Sequence, residues 1–569
     1  MKKFFFLIIV SIFVFLPLYI EAQDVLGETR VFNIESSYDL SKRAELTATL
    51  IRISPTVYWY VDNNFKEDIG QSLNSLAEEF EFHIYPKLTG TFGSEWSPGI
   101  DKDTRITVLI HPMKKEAGGY FNSADEYPKA HAPTSNQREM VYLNAQYITS
   151  PLAKSLLAHE FTHLITFNQK EKTYNVSEEV WLNEARAEYV PTLLGYDKEY
   201  EGSNLQRRVK SFLDKPSDSL TEWREKSTDY GVINLFIQYL VDHYGIETLT
   251  DSLKMRKVGI ESLNAVLSQR GFKTDFAQIF TDWTVAVLIN DCQVSEKYCY
   301  YNQNLKNFRV TPLLNYLPFV GESTLSVNNT TKDWSGNWHK FVGGKGTLKL
   351  EFRGGEANFR IPYITQDSEG DLNVDNLVLD EDRKGEILVS DFGSQNIALT
   401  IIPSVQNKIS DFSGIEPSYS FFWSASTQEK EEESSFPVLS PLEKPISEMS
   451  RKEILARIAE IKAVIVKLQE LLLELSGSEI SCQSITQDLY FGMEGNLQVR
   501  CLQEFLKVQG GGLYPEGLVT GNFYTLTEKA VIRFQEKYSE EILSPWGLTK
   551  GSGYVGETTR TKINQLLTR

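Results

Sequence analysis

The segment HEFTH places His159 and His163 four residues apart with Glu160 between them. On an α-helix, residues i and i+4 share one face at about 6 Å, so both imidazoles can reach one zinc ion while Glu160 stands beside it. Catalytic zinc keeps three protein ligands and one open position, and a carboxylate on a following helix is one way to complete two histidines. The segment EEVWLNEARAEYV supplies Glu184, 21 residues after His163, as the third ligand. Glu188, one helical turn later, is placed to accept a hydrogen bond from a ligand imidazole. The competing readings are a helix whose His and Glu merely face solvent and a zinc that only stabilises the fold. Closed structural sites usually recruit Cys, and none lies nearby.

HEFTHLITFNQ followed by WLNEARAEYV resembles the gluzincin metallopeptidases, and among them the hyicolysin-type secreted bacterial enzymes, over roughly residues 40–310. The resemblance implies a zincin-type fold, with His159, His163 and Glu184 as zinc ligands, Glu160 as catalytic base and a substrate-binding edge strand near GGYF (118–121). It also implies an oxyanion donor at the start of a later helix, where Tyr230 stands in STDYGVINLFIQYLVDHYG; a packed tyrosine, one of 27, is the alternative there. Two positions depart from the pattern: Ala185 stands where Gly is usual and Thr162 where Gln is frequent. Neither removes a ligand. Zinc so held lowers the pKa of a water towards about 7 and polarises a scissile carbonyl, and Glu160 would move the proton to the leaving amine. A GxMEN-like motif for a free amino terminus is lacking, which favours an endopeptidase over an aminopeptidase.

These residues need rigid elements to hold them. Ile69, Leu73, Leu76, Phe80 and Ile84 recur at three- and four-residue steps and predict a helix from about Phe65 to Ile84. RITVLIH (105–111) and MVYLN (140–144) read as strands, and Ser150 with Pro151 predicts the N-cap and first residue of a helix running through Phe167. Helical patterns continue to about Ile289, so residues 24–320 read as an α+β domain. The pair Asp101 and Asp103 reads as a surface turn, with a calcium site as the alternative, and His83, His111, His131, His243 and His339 read as structural.

Beyond that domain the pattern changes. Residues 323–427 hold short runs such as TLKLEF, FRIPYI, EILVSDF and IALTIIP between turn residues, and predict a β-sandwich. Residues 428–446 are charged and rich in Ser and Pro, a linker. Within 447–476, Ile454, Ile458, Ile461, Ile465, Leu468 and Leu472 form a heptad-like stripe, read as a coiled-coil-like helix or a spacer. Residues 482–569 carry a weak repeat in VTGNFYTLTEKAVIRFQ and GYVGETTRTKINQLL. With GMEGNLQVRCLQEFL they resemble the three-helix bacterial peptidoglycan-binding domain, departing from it by the insertion SEEILSPWGLTKGS. That resemblance implies a hold on cell wall; a generic protein-docking module is the alternative.

Residues 1–22 set Lys2 and Lys3 before an apolar run from Phe4 to Ile20, a secretory signal whose alternative is an uncleaved membrane anchor. Export permits disulfides, and the four cysteines fall as two local pairs, Cys292 with Cys299 and Cys482 with Cys501. The 569 residues include 58 Lys+Arg against 76 Asp+Glu, a net charge of −18 that argues against nucleic acid as partner. The expectation is therefore an extracellular or envelope-associated zinc endopeptidase acting on protein or peptide. Its rivals are a wall-anchored adhesion protein with a vestigial zinc site and a peptidoglycan hydrolase.

Overall fold

A computed structural model describes residues 23–318, 323–412, 414–428 and most of 484–567, with isolated residues 449, 454, 457 and 482. The expected signal segment 1–22 lies outside the described residues, as do the linker 428–446 beyond Gln428 and nearly all of the helix 447–476. The chain divides into two compact units, Met1–Lys430 and Glu431–Arg569.

The first unit opens with six strands, β1 (Thr29–Asn33), β2 (Glu45–Ile53), β3 (Val57–Asp62), β4 (Ile106–His111), β5 (Gly119–Phe121) and β6 (Met140–Asn144). They form one mixed sheet in the order β1-β2-β3-β4-β6-β5. The parallel core β3, β4 and β6 is buried on both faces, as its unbroken apolar runs require. Side chains alternate strictly: Val57, Trp59, Val108, Ile110, Val141 and Leu143 join the helical core, while Tyr58, Tyr60, Leu109 and Tyr142 pack on the opposite face.

Helices cover the first face: α1 (Gly70–Glu79), α2 (Tyr85–Phe92), α3 (Ala153–Thr166), α4 (Val180–Leu193), α5 (Asn204–Asp214), α6 (Ser227–Tyr244), α7 (Glu247–Leu253), α8 (Gly259–Gln269) and α9 (Phe276–Ile289). Two boundaries differ from expectation. The helix expected over 65–84 starts at Gly70, because Phe65 closes a turn onto the Asp62 carbonyl, and it passes through one wide turn, Phe80–Ile84, into α2. Ser150 does not cap α3: its hydroxyl accepts from Leu152 N (3.2 Å) and its carbonyl from Ala153 N (3.0 Å), a turn that delays the helix to Ala153.

From Leu313 the chain is β-rich. Of the eleven strands from Leu313–Leu317 to Ser418–Gln428, nine form one sheet around a core containing Phe341, Leu350, Phe392, Leu399 and Trp423, and Phe359–Arg360 pairs with Ser404–Val405 beside it. Leu313–Leu317, which the sequence places at the end of the preceding domain, pairs in parallel with His339–Gly343. Trp334 reaches back onto α9, 4.9 Å from Phe276 and 5.4 Å from Phe280 between ring centres, so both regions share one core. Cys292 is bonded to Cys299 just after α9.

In the second unit, helices Leu497–Val508, Thr525–Lys537 and Glu557–Leu567 surround Leu502, Phe505, Phe523, Phe534 and Ile563, and Cys482 is bonded to Cys501. The repeat has a physical basis. Gln503 Oε1 accepts from Thr520 N and Gly521 N (both 2.8 Å) and its amide donates to Asn522 O (2.8 Å) and Thr527 Oγ1 (2.9 Å). Gln535 does the same one helix later, with Gly553 N (3.0 Å), Tyr554 O (2.7 Å) and Thr559 Oγ1 (3.1 Å). Each buried glutamine fixes the left-handed glycine turn that launches the next helix, Gly521 (φ 78°) and Gly553 (φ 76°).

Candidate active site

α3 carries its apolar side into the core through Ala158, Phe161 and Ile165, with Phe161 stacked on Tyr85 at 5.5 Å. The face left over presents His159 and His163, whose Nε2 atoms stand 3.1 Å apart. α4 packs across α3 and brings Glu184 to them: Oε2 lies 3.2 Å from His159 Nε2 and Oε1 3.6 Å from His163 Nε2. These three are the one group of metal-ligating side chains among the described residues. The donor set fits zinc. Ligand atoms about 2.0–2.1 Å from a tetrahedral ion are about 3.3 Å apart, inside the observed spread. Glu184 Oε2 is moreover buried with no hydrogen-bond donor. Burial raises the Glu184 pKa, but His163 and His159 outweigh it and hold the carboxyl well below its ordinary range. Burial lowers His163, and Glu184 more than restores it, to about 9.

Glu188 is 1% exposed and forms the floor behind His159, with Oε1 3.5 Å from His159 Nδ1. It is clamped by Arg208 (Nε to Oε2 2.8 Å, Nη2 to Oε1 2.5 Å), Asn204 Nδ2 (3.0 Å) and Asn234 Nδ2 (3.2 Å). Against a raising effect of burial, Arg208 holds Glu188 down at about 2. Arg208, Asn204 and Asn234 were not among the residues singled out from sequence. A signal for Arg208 exists: it shares the buried stripe of α5 with Leu205, Val209 and Phe212, where a charge requires a partner. α5 lies this close to α6 because Gly231 has no Cβ; one added there would come within 2.5 Å of Phe212 N.

Glu160, 6% exposed, faces β5. β5 is the edge strand of the sheet and is bonded to β6 alone. A Cβ at Gly119 would sit 2.9 Å from Glu160 Cγ, and one at Gly118 2.4 Å from Leu156 Cδ2, so the two glycines let α3 lie directly against the strand. Burial pushes Glu160 up, His159 and His163 oppose it, and the net shift is upward. These groups open into a cleft of about 560 Å³ whose walls include Tyr38, Gly119, His159, Glu160, Arg207 and Tyr230.

Tyr230 stands at the start of α6, its ring between Trp223 (4.8 Å) and the Arg208 guanidinium (4.4 Å). Its ring centre is 6.5 Å from that of His159. Burial and then Glu184 drive the phenol far above its ordinary pKa, so it keeps its proton as a donor. Asp101 and Asp103 lie in a turn, each accepting a backbone N–H two residues on. His111 is buried against Asp39 (3.3 Å) and His243 bonds the Cys299 carbonyl (2.9 Å), away from the cleft.

Among curated proteins, the neutral metalloprotease ShpI of Staphylococcus hyicus is 24% identical over 249 residues, 39% of this chain and 54% of that one. The chain thus spans about half the length of the curated relative it matches. No family model matches. Two solved structures align with the chain over small parts: PliG, a periplasmic lysozyme inhibitor from Aeromonas hydrophila (8% identical, 21% of this chain and 100% of that one, TM-score 0.14), and the pre-peptidase C-terminal domain of a Bacillus anthracis collagenase (6%, 20% and 96%, TM-score 0.13). Overlaps of that quality carry no argument. The relative and the His159, His163 and Glu184 group together support a metalloprotease.

Proposed function

We propose that this chain is a zinc-dependent endopeptidase of the gluzincin type. The observation that carries the reading is the convergence of His159, His163 and Glu184, with Glu160 between them and the edge strand β5. An extended peptide can add to the free edge of β5, which would set its backbone beside Glu160. Zinc held by the three ligands would supply Lewis-acid polarisation of a carbonyl and acidify a water. Glu160, raised by burial, accepts the proton of the attacking water and returns it to the leaving amine. Tyr230, kept protonated, donates to the oxyanion. Glu188 fixes the orientation of His159 through its clamp to Arg208.

We take the protein to be exported, on the signal-like first 22 residues and the two disulfides. Among the described residues no helix is long and apolar enough to cross a membrane. The second unit is proposed to hold peptidoglycan, on the resemblance of its three helical segments. Zinc analysis with casein hydrolysis, with and without chelator, tests the central reading. Glu160→Gln should retain zinc and lose hydrolysis; substantial turnover in it refutes the mechanism. Purified sacculi, assayed in parallel, separate a wall hydrolase from a wall-anchored protease. Inertness towards both would favour the adhesion protein, against which the intact Glu160 speaks.

A further inference from the structure

Of the cations that line the cleft without an ion pair among the described residues, Lys114 and Lys115 are exposed and Arg207 is partly buried. α5 sends Arg208 to Glu188, but its neighbour Arg207 lines the cleft that also exposes His159, Glu160 and Tyr230. Arg207 Nη2 donates to Asn204 Oδ1 (2.7 Å), a neutral partner, and its Nε is buried without any acceptor. Among the described residues no carboxylate forms an ion pair with it. Burial, and then the adjacent Arg208, push its pKa down to about 10, so the guanidinium stays charged at neutral pH in a place that disfavours the charge. Glu188, whose charge acts on Arg207, is committed, since it already receives both arms of Arg208, Asn204 and Asn234. Asn204 meanwhile ties the Arg207 head to Glu188 and so to the groups around His159.

A planar guanidinium with free donors in a walled cleft recognises a carboxylate best, because the match is bidentate and charge-assisted. Water can satisfy the donors, but it brings no opposite charge. We infer that Arg207 is the specificity-determining residue of the cleft and takes a carboxylate of the substrate, either an Asp or Glu side chain near the scissile bond or a free chain terminus. The inference rests on the peptidase reading.

The test uses the full chain loaded with zinc and three quenched peptides on one scaffold: neutral and amidated, Glu-bearing and amidated, and neutral with a free carboxyl terminus. A carboxylate peptide should show kcat/KM about 10- to 100-fold above the neutral amide. Whichever of the two gains identifies which carboxylate is read. Arg207→Gln should bring the ratio to the neutral peptide close to one, Arg207→Lys should keep part of it, and Arg207→Glu should invert it, so that the neutral amide is cleaved faster than the carboxylate peptide. Equal cleavage of all three peptides by the parent overturns the inference and leaves the peptidase reading standing. A preference that persists in Arg207→Gln also overturns it and moves the role to Lys114 or Lys115. Calorimetric binding of the same peptides to Glu160→Gln separates the two levels. Carboxylate-selective binding that depends on Arg207, with no hydrolysis by the parent, sinks the peptidase reading alone; neither binding nor hydrolysis sinks both.

Discussion

Replacing Arg208 by Met should weaken zinc without touching a ligand. Glu188 is 1% exposed, and Arg208 supplies two of its four side-chain donors at 2.8 and 2.5 Å. Removing one partner of a buried ion pair costs about 3–5 kcal/mol, because the other charge is left uncompensated. Asn204 and Asn234 remain, so the expected loss in the zinc-free protein is near the lower end, about 3 kcal/mol. Glu188 can relieve the cost by taking a proton or shifting, and either loosens its hold 3.5 Å from His159 Nδ1. Loss of such an outer partner weakens metal by about 10- to 100-fold. Competition with a chromophoric chelator reads the affinity, and urea unfolding of the zinc-free protein reads the stability. Lys210→Met, on the exposed side of the same helix, removes equal charge and should change neither. The double variant Arg208→Met with Glu188→Leu should regain stability, since apolar groups replace a buried pair at little cost, yet keep weak zinc. An Arg208→Met protein with the parent's zinc affinity refutes the path from Arg208 through Glu188 to His159.

Tyr230→Phe should keep its zinc and its Tm but lose about 100- to 1,000-fold in kcat with KM little changed; parental turnover would leave Tyr230 as packing only. Glu126 and Glu139 are each 2% exposed, three of their four oxygens lack a donor, and burial raises Glu139 to about 7 and Glu126 well above its ordinary value. A carboxyl with a raised folded pKa contributes its stability below the unfolded value and loses it as pH rises through the folded one, so stability should fall between about pH 4.5 and 7. Glu139→Gln should then exceed the parent at pH 8 by on the order of 1–3 kcal/mol in urea unfolding, and a less stable variant contradicts this. Gln503→Ala, which strands Thr520 N and Gly521 N, should lower the Tm of residues 482–569 by roughly 10 °C or more, and an unchanged Tm assigns the repeat another basis.

The parts legible in the sequence are those with a short-range period. HExxH states its own geometry because four residues bring two imidazoles to one helix face, and Glu184 with Glu188 repeats that spacing on α4. The apolar runs of β4 and β6 are legible because strands buried on both faces cannot alternate. Sequence is mute where distant segments meet. Nothing local to Tyr38 shows that it shares a cleft with His159, and nothing local to Leu313–Leu317 shows that it leaves the helices for the β-rich layer. Ser150 misleads because a hydroxyl that caps a turn looks the same as one that caps a helix. Arg208 lies between: its position in an apolar stripe announces a buried charge, while the identity of its partner needs the fold.

A divalent ion would settle the charges of the site. Glu160, Glu184 and Glu188 bring three negative charges into a small buried volume, and Arg208 answers one. Against burial, the imidazoles of His163 and His159 hold Glu184 below the ordinary carboxylate range and Arg208 holds Glu188 there, while Glu160 is raised. A divalent cation at the two Nε2 atoms and Glu184 would balance Glu160 and Glu184 and leave the imidazoles neutral as ligands. With those charges settled, Arg207 is the one cation of α5 facing the cleft that stays unmatched. A site so loaded would be neutral at the metal, with Lys114, Lys115 and Arg207 on its wall against Glu116 and Glu225, and Arg207 the partly buried one among them, which suits a substrate that arrives with a carboxylate of its own.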